Sequence, residues 1–140
     1  MGKINTGRVI LGGLLTGLII NIGEFVLNEP ILGEQWASAM AALNQPPVGG
    51  GAIAAFVVGG FLLGIATIWL YASIRPRFGP GPKTAVCAGL FVWFFVYLYT
   101  NIGMMGTGLF PMNLLITAVI WGLLEIPIAT MAGAWLYKEE

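Results

Sequence analysis

Four long apolar segments with short connections between them are the feature that most constrains how this chain can fold. Each has about 20 residues or more, the length that a helix needs to cross about 30 Å of hydrocarbon. Helices and closed barrels satisfy the backbone in lipid, and these segments lack the two-residue alternation of barrel strands. The sequence therefore predicts an all-α membrane protein, a bundle of four transmembrane helices at about residues 9–27, 52–74, 84–103 and 113–137.

The composition agrees with a chain whose solvent is the bilayer. Hydrophobic residues make up 58% of it and charged residues 9%, whereas a soluble domain carries about a quarter charged residues. We expect residues 1–140 to form a single integral membrane domain, with lipid as its surroundings. The net charge is zero and there is no basic run, so a nucleic-acid partner is not expected. The chain has no His, no Asp and a single cysteine, Cys87, so we expect no metal, no cofactor and no His-based catalytic triad.

The basic residues predict the orientation of the bundle. In a model with four spans, all of them fall on one side, and the other two connections carry none. By the positive-inside rule, both termini then lie in the cytoplasm of a bacterial inner membrane. These residues are Lys3, Arg8, Arg75, Arg77, Lys83 and Lys138.

The connection after the first span, residues 28–51, is predicted to lie outside and is the longer of the two outer connections. Within it, Trp36, Ala39, Met40 and Leu43 recur at helical spacing, which predicts a short amphipathic helix on the outer membrane face. The alternative is that this segment caps the outer end of the bundle, and the two interpretations are compatible.

Two short motifs each occur twice. The triplet NIG stands at residues 21–23 and 101–103, and IAT stands at residues 65–67 and 128–130. Their order fits two duplicated helical hairpins related by an axis along the membrane normal. Chance matches in apolar sequence are the alternative.

Small residues recur along one face of each span. In lipid, such residues let helices approach closely, because no hydrophobic effect drives the helices together there. We therefore predict that these faces pack against other helices and that their polar members hydrogen-bond across the interfaces. The glycines concerned are Gly13, Gly17, Gly60, Gly64, Gly89 and Gly122.

Two glutamates lie within or beside the apolar runs. Glu125 is midway along the fourth predicted span, with no Lys or Arg at its depth. We expect it to be protonated, hydrogen-bonded to a neutral partner, or in a wet cavity. Glu24 is expected near the outer interface and partly hydrated, about 10 Å or more from the depth of Glu125. The candidates for a polar core or a proton or ion site are Glu125, Glu24, Asn21, Thr67, Tyr97 and Asn101, of which Asn21, Thr67 and Tyr97 are the expected partners of Glu125.

The stretch GEFVLNEPILGEQW places Gly23, Pro30, Gly33 and Trp36 at the outer end of the first span. This order resembles a family of short bacterial four-helix membrane proteins of unknown function, and the likeness covers most of the chain. The family has a tryptophan–tyrosine pair where this sequence has residues 24–27, and Glu29 looks like an insertion. The resemblance implies a four-helix fold and no particular activity.

Three function classes fit these observations. The sequence favours a non-catalytic subunit or scaffold that packs with itself or with a larger membrane assembly. The alternative is a small oligomeric transporter or channel that uses Glu125 as a proton or cation site. A membrane enzyme acting on lipid or quinone is a third class, opposed by the expected difference in depth between the two carboxyl groups. A wet path to Glu125 would favour transport, and a dry, packed Glu125 would favour the subunit.

Overall fold

The helices of this chain follow one another with short connections, and the computed structural model describes residues 2–139. Within that range the chain is all-helical and contains no β-strand. Four of the helices are each long and apolar enough to cross a membrane. In chain order the helices are α1 (Thr6–Ile31), α2 (Gly33–Ala42), α3 (Gly50–Phe78), α4 (Pro82–Thr107) and α5 (Met112–Leu136).

The four long helices coincide with the four predicted spans, and three of them run further at both ends. The prediction counted apolar residues and stopped at polar ones, whereas backbone hydrogen bonds continue through polar residues at helix ends. Each of these three runs four residues past its predicted end, and α1 continues from the predicted end at Leu27 to Ile31. At the fourth span the helix ends at Leu136, just inside the predicted boundary.

The long helices form a four-membered ring. Helix α1 packs along α3 and α5, whereas α4 packs along α5 and, through its first half, along α3. Helices α1 and α4 therefore stand at opposite corners of the ring. We call the end that carries Gly2, Glu139 and the turn at residues 75–83 the basic end, and the opposite end the α2 end. At the basic end, Arg75 forms a salt bridge with Glu139 of 3.1 Å.

The predicted small-residue positions lie where helices approach most closely. A Cβ atom at Gly13 or Gly17 would overlap the backbone of α3, and one at Gly64 would overlap the backbone of α1. A Cβ atom at Gly60 would overlap the side chain of Asn21. On the other side of the ring, a Cβ at Gly89 would overlap Pro127, and one at Gly122 would overlap the ring of Tyr97.

Helices α1 and α5 also approach each other closely, at glycines that were not among the predicted packing positions. A Cβ at Gly12 would overlap the carbonyl of Gly133, and the hydroxyl of Thr16 donates to the carbonyl oxygen of Ala129 at 3.1 Å. The contact therefore combines close backbone packing with a hydrogen bond between helices, as is typical of helix pairs in lipid.

Large apolar side chains cover the outward surface of the bundle. Phe56 is 67% exposed and Trp135 is 80% exposed, and many Ile, Leu and Phe side chains are similarly uncovered. Contiguous apolar surface on this scale is unfavourable in water. The surface is therefore suited to contact with lipid.

Two long helices contain a π-helical turn, which the sequence did not predict. In α1 the turn is Leu27–Ile31, and the amide of Leu32 donates to the carbonyl of Leu27 at 2.8 Å. Pro30 explains this turn, because proline has no amide hydrogen and its ring clashes with the carbonyl of an α-helix. In α4 the turn is Phe94–Tyr99. There the side chains of Thr100 and Asn101 donate to the carbonyls of Phe95 and Tyr97.

Helix α2 occupies the region predicted to form a short helix. Trp36 and Met40 in this helix, and Leu43 just after it, are half-buried, and Ala39 is buried. The ring of Trp36 meets that of Phe110 edge to face, with centroids 5.7 Å apart. Helix α2 therefore covers the end of the bundle, as the capping alternative described.

The duplication of two hairpins remains a prediction. The two threonines of the IAT motifs, Thr67 and Thr130, both donate to a carbonyl one turn earlier in their own helix. The two asparagines of the NIG motifs differ. Asn21 donates to the carbonyl of Val57 in α3, whereas Asn101 donates within α4.

Candidate functional site

The hydroxyl of Tyr97 joins two carboxyl groups from two other helices. It is hydrogen-bonded to Oε1 of Glu24 on α1, and it lies 3.2 Å from Oε2 of Glu125 on α5. Because α1 and α4 stand at opposite corners of the ring, these contacts tie the bundle together across its centre. We call the three residues the Glu24–Tyr97–Glu125 cluster.

Burial differs among the members of the cluster. Glu125 and Tyr97 are each 8% exposed, whereas Glu24 is half-buried. Two glycines leave the space that the side chains of Glu125 and Tyr97 occupy. A Cβ at Gly23 would overlap the carboxyl of Glu125, and a Cβ at Gly122 would overlap the Tyr97 ring. Gly122 was a predicted packing position, and Gly23 was missed because it is adjacent to Glu24 rather than on the predicted glycine stripe.

The predicted separation of Glu24 and Glu125 in depth is wrong, since both bind the same phenolic oxygen. The prediction placed Glu24 close to the end of a helix that was expected to finish at Leu27. Helix α1 instead continues through its π turn to Ile31, so Glu24 lies inside the bundle. The expected difference in depth therefore no longer argues against joint acid–base chemistry by the two carboxyl groups.

Two residues from the α2 end extend the cluster, and the sequence did not single out either as a site residue. Asn28, one turn after Glu24, donates from Nδ2 to Glu24 Oε2 and to the Glu24 carbonyl oxygen, both at 2.8 Å. The indole nitrogen of Trp36 on α2 donates to Asn28 Oδ1, also at 2.8 Å. A continuous chain of hydrogen bonds thus leads from α2 to the interior. The four-residue spacing of Glu24 and Asn28 was the signal that could have revealed part of it.

The donor and the acceptor in each of these hydrogen bonds can be assigned, starting from the indole of Trp36. An indole nitrogen is only a donor, so the amide oxygen of Asn28 faces Trp36 and its NH₂ group faces Glu24. Oε2 of Glu24 is therefore a hydrogen-bond acceptor, which favours the ionised form of this carboxyl group.

The Tyr97 hydroxyl has one proton and contacts two carboxyl groups, so it can donate to only one of them. The other carboxyl group must then be the donor, as a protonated carboxylic acid. We assign that proton to Glu125, because Glu125 is 8% exposed whereas Glu24 is half-buried, and burial disfavours the charged form. In this assignment Glu24 carries the negative charge and Glu125 carries the proton.

Two of the expected partners of Glu125 make other hydrogen bonds. Asn21 donates to the Val57 carbonyl at 3.1 Å, and Thr67 donates to the Leu63 carbonyl at 2.7 Å. The expectation that these two residues bind Glu125 is wrong, because the Asn21 amide is used in the contact between α1 and α3 and the Thr67 hydroxyl binds its own helix. Tyr97 is the expected partner that does bind it. The side-chain amide of Asn101 donates to the backbone carbonyl of Tyr97 at 2.8 Å, so Asn101 supports the cluster indirectly.

Proton exchange is the chemistry for which the cluster is equipped. In residues 2–139, no group of three or more Cys, Asp or Glu side chains is placed to hold a metal ion. Oε1 of Glu125 has no hydrogen-bond partner among the described residues, so this buried oxygen is free to interact with a proton or a small ligand. Two surface pockets of about 280 Å³ lie at the two ends of the bundle, and neither is lined by a member of the cluster.

Comparisons with known protein families, with curated proteins and with solved structures find no match to this chain. The resemblance to short four-helix bacterial membrane proteins therefore stays an expectation.

Proposed function

We propose that this chain is a small multi-pass protein of the bacterial inner membrane that moves protons through the Glu24–Tyr97–Glu125 cluster, as a small oligomeric transporter or channel. The observation that carries the proposal is one tyrosine hydroxyl shared by two carboxyl groups from two other helices. In the proposed orientation the basic end lies in the cytoplasm, as the positive-inside rule favours, and the α2 end lies outside.

The energetics of the bilayer support a functional role for the carboxyl groups. A charged side chain near the centre of a membrane costs about 2.5–3.5 kcal/mol on insertion scales. Neutral amides could form hydrogen bonds at these positions without placing a charge there. Two carboxyl groups at one place are therefore better explained by proton exchange than by packing alone.

The contacts suggest how a proton crosses the cluster. The proton on Glu125 passes to the oxygen of Tyr97 while the phenolic proton passes to Glu24. Glu125 becomes ionised, Glu24 becomes protonated and Tyr97 stays neutral, so charge and protons balance. Glu24 is half-buried and closer along the hydrogen-bonded chain to α2. It is therefore the member that exchanges protons with the proposed outer side.

A second candidate function, a non-catalytic subunit or scaffold, is favoured by a different observation. Every residue of α3 from Gly50 to Gly59 is exposed, so the α2 end of this helix is not covered by residues 2–139. Another copy of the chain or a larger membrane assembly would cover it. Glu125 is also packed and lines neither surface pocket, and a dry, packed Glu125 is the condition that favours the subunit.

Proton flux into liposomes distinguishes the two functions. The purified protein is reconstituted with a trapped pH-sensitive dye, and a potassium diffusion potential drives proton entry. We expect Glu125→Gln to reduce the flux to that of protein-free liposomes while helicity is retained. The matched control is Glu29→Gln, since Glu29 is exposed at the α2 end. Unchanged flux in Glu125→Gln would contradict transport and leave the subunit as the better account.

A further inference from the structure

We propose that Trp36 is a positioning residue, through which the docking of α2 determines which carboxyl group of the cluster carries the proton. With α2 docked, the proton is held on Glu125. With α2 lifted, the proton becomes free to move to Glu24. This inference rests on the proposed role of the cluster in binding protons, and it adds a means of control.

The position of Trp36 is fixed by its surroundings. Its ring is held against Phe110, and it packs on an apolar group formed by Leu27, Leu32, Leu114 and Leu115. These contacts hold the side chain in place, so the direction of its N–H bond follows the position of α2. That bond ends on Asn28 Oδ1 at 2.8 Å.

The orientation of the Asn28 amide couples this contact to the cluster. In the observed orientation its NH₂ group donates to Glu24 Oε2, which favours a carboxylate there. If the amide were flipped, its oxygen would face Oε2, and only a protonated Glu24 could then make a hydrogen bond. The flip would also leave the indole of Trp36 facing an NH₂ group, so both groups would be donors. A docked Trp36 therefore opposes the flip, keeps the proton off Oε2 of Glu24 and favours the ionised form of that carboxyl group.

The other charged and titratable groups around the cluster do not replace the hydrogen bond between Trp36 and Asn28. The charge state of Glu125 is influenced by Glu24 and Tyr97, and that of Tyr97 by the two glutamates. The π turn and α2 contribute Glu29 and Glu34, which are exposed. Helix α3 packs beside α1 and carries its ionisable side chains, Tyr71, Arg75 and Arg77, near the basic end. The hydrogen bond from α2 is thus a specific influence on Glu24.

Infrared spectroscopy of the reconstituted protein tests the inference. The C=O stretch of a protonated carboxyl group is identified by its shift in D₂O, and the substitutions Glu24→Gln and Glu125→Gln assign it. With Trp36 present, we expect Glu125→Gln to remove the whole band. In the Trp36→Phe background, we expect Glu125→Gln to remove only part of it and Glu24→Gln to remove the rest.

The chain offers a matched control and an independent variant. Trp121 packs on the same apolar group, and its indole nitrogen has no hydrogen-bond partner within residues 2–139. Trp121→Phe should therefore leave the assignment of the band unchanged. Asn28→Leu removes the amide that transmits the effect, so it should reproduce the result of Trp36→Phe, and the double variant should add nothing.

The outcome separates this inference from the proposed function. If the band in Trp36→Phe is still removed entirely by Glu125→Gln, α2 does not control the proton, and the inference is overturned whatever the flux measurement shows. If Glu125→Gln leaves proton flux intact, the proposed transport fails, while the band in Trp36→Phe still decides the role of α2.

Discussion

The phenolic oxygen of Tyr97 and Oε2 of Glu125 lie 3.2 Å apart, although the two residues belong to different helices and neither is near a helix end. This contact answers the problem that Glu125 presents in an apolar helix. Its carboxyl group is enclosed, faces no Lys or Arg among residues 2–139, and in our assignment donates to a hydroxyl that also binds Glu24. A carboxylic acid in such a position is stable when it is neutral and hydrogen-bonded.

Replacements of Glu125 should affect stability according to their hydrogen-bonding capacity. Glu125→Leu leaves the Tyr97 hydroxyl without the donor it now has, so we expect a loss of about 1–3 kcal/mol in the free energy of unfolding. Glu125→Gln keeps a donor of similar shape and should lose less. Reversible denaturation in mixed micelles measures both. Equal stability of the two variants would contradict a hydrogen-bonded Glu125.

Gly23 should be intolerant of even one added carbon. The Cβ of alanine would overlap the Glu125 carboxyl, so Gly23→Ala should displace that group and destabilise the protein by about 1–3 kcal/mol. Gly33→Ala is the control, because its nearest atom, the Asn28 carbonyl oxygen, lies 3.5 Å away. Denaturation and proton flux should both separate the two variants. If they behave alike, the carboxyl of Glu125 does not occupy the space beside Gly23.

The contact between α1 and α3 should depend on Gly64. A leucine there would overlap the backbone at Gly13 and Gly17, and we expect Gly64→Leu to cost at least about 1–3 kcal/mol. Gly59→Leu on the same helix is the control, since a Cβ there meets no described atom within 4 Å. Thermal unfolding in detergent compares the two. An unchanged melting temperature in Gly64→Leu would show that the two helices do not pack in this way.

The orientation of the bundle is open to direct labelling. In a Cys87→Ala background, a cysteine at Gln45 should react with a membrane-impermeant maleimide added to intact cells from outside. A cysteine at Pro80 should react only after the membrane is opened, because the turn at residues 75–83 carries three of the basic residues. Labelling of Pro80→Cys in intact cells would reverse the proposed topology.

Much of the architecture follows from the sequence, because apolar length, glycine spacing and the position of charges each act locally. The four long helices, the short helix α2 and the Gly13, Gly17 and Gly64 contacts could all be read from residue spacing. The approach of Gly12 to Gly133 could not. It depends on which two helices are neighbours, and spacing along one helix does not determine that.

The candidate site was predicted only in part for a related reason. Glu125 and Tyr97 could be paired because both fall on small-residue faces at reachable depth. The place of Glu24 was wrong, since a π turn extends α1 to Ile31 and so puts Glu24 further from the helix end than predicted. Asn28 had a signal only in its four-residue spacing from Glu24, and Trp36 reaches Asn28 through the docking of α2, a tertiary contact that periodicity does not predict.

Infrared titration of the carboxyl band of the reconstituted protein tests the central claim most directly. The account predicts a protonated carboxyl band at pH 7 that is absent in Glu125→Gln and still present in Glu24→Gln. The absence of this band at pH 7, or its loss in Glu24→Gln with persistence in Glu125→Gln, would contradict a cluster in which Glu125 holds the proton.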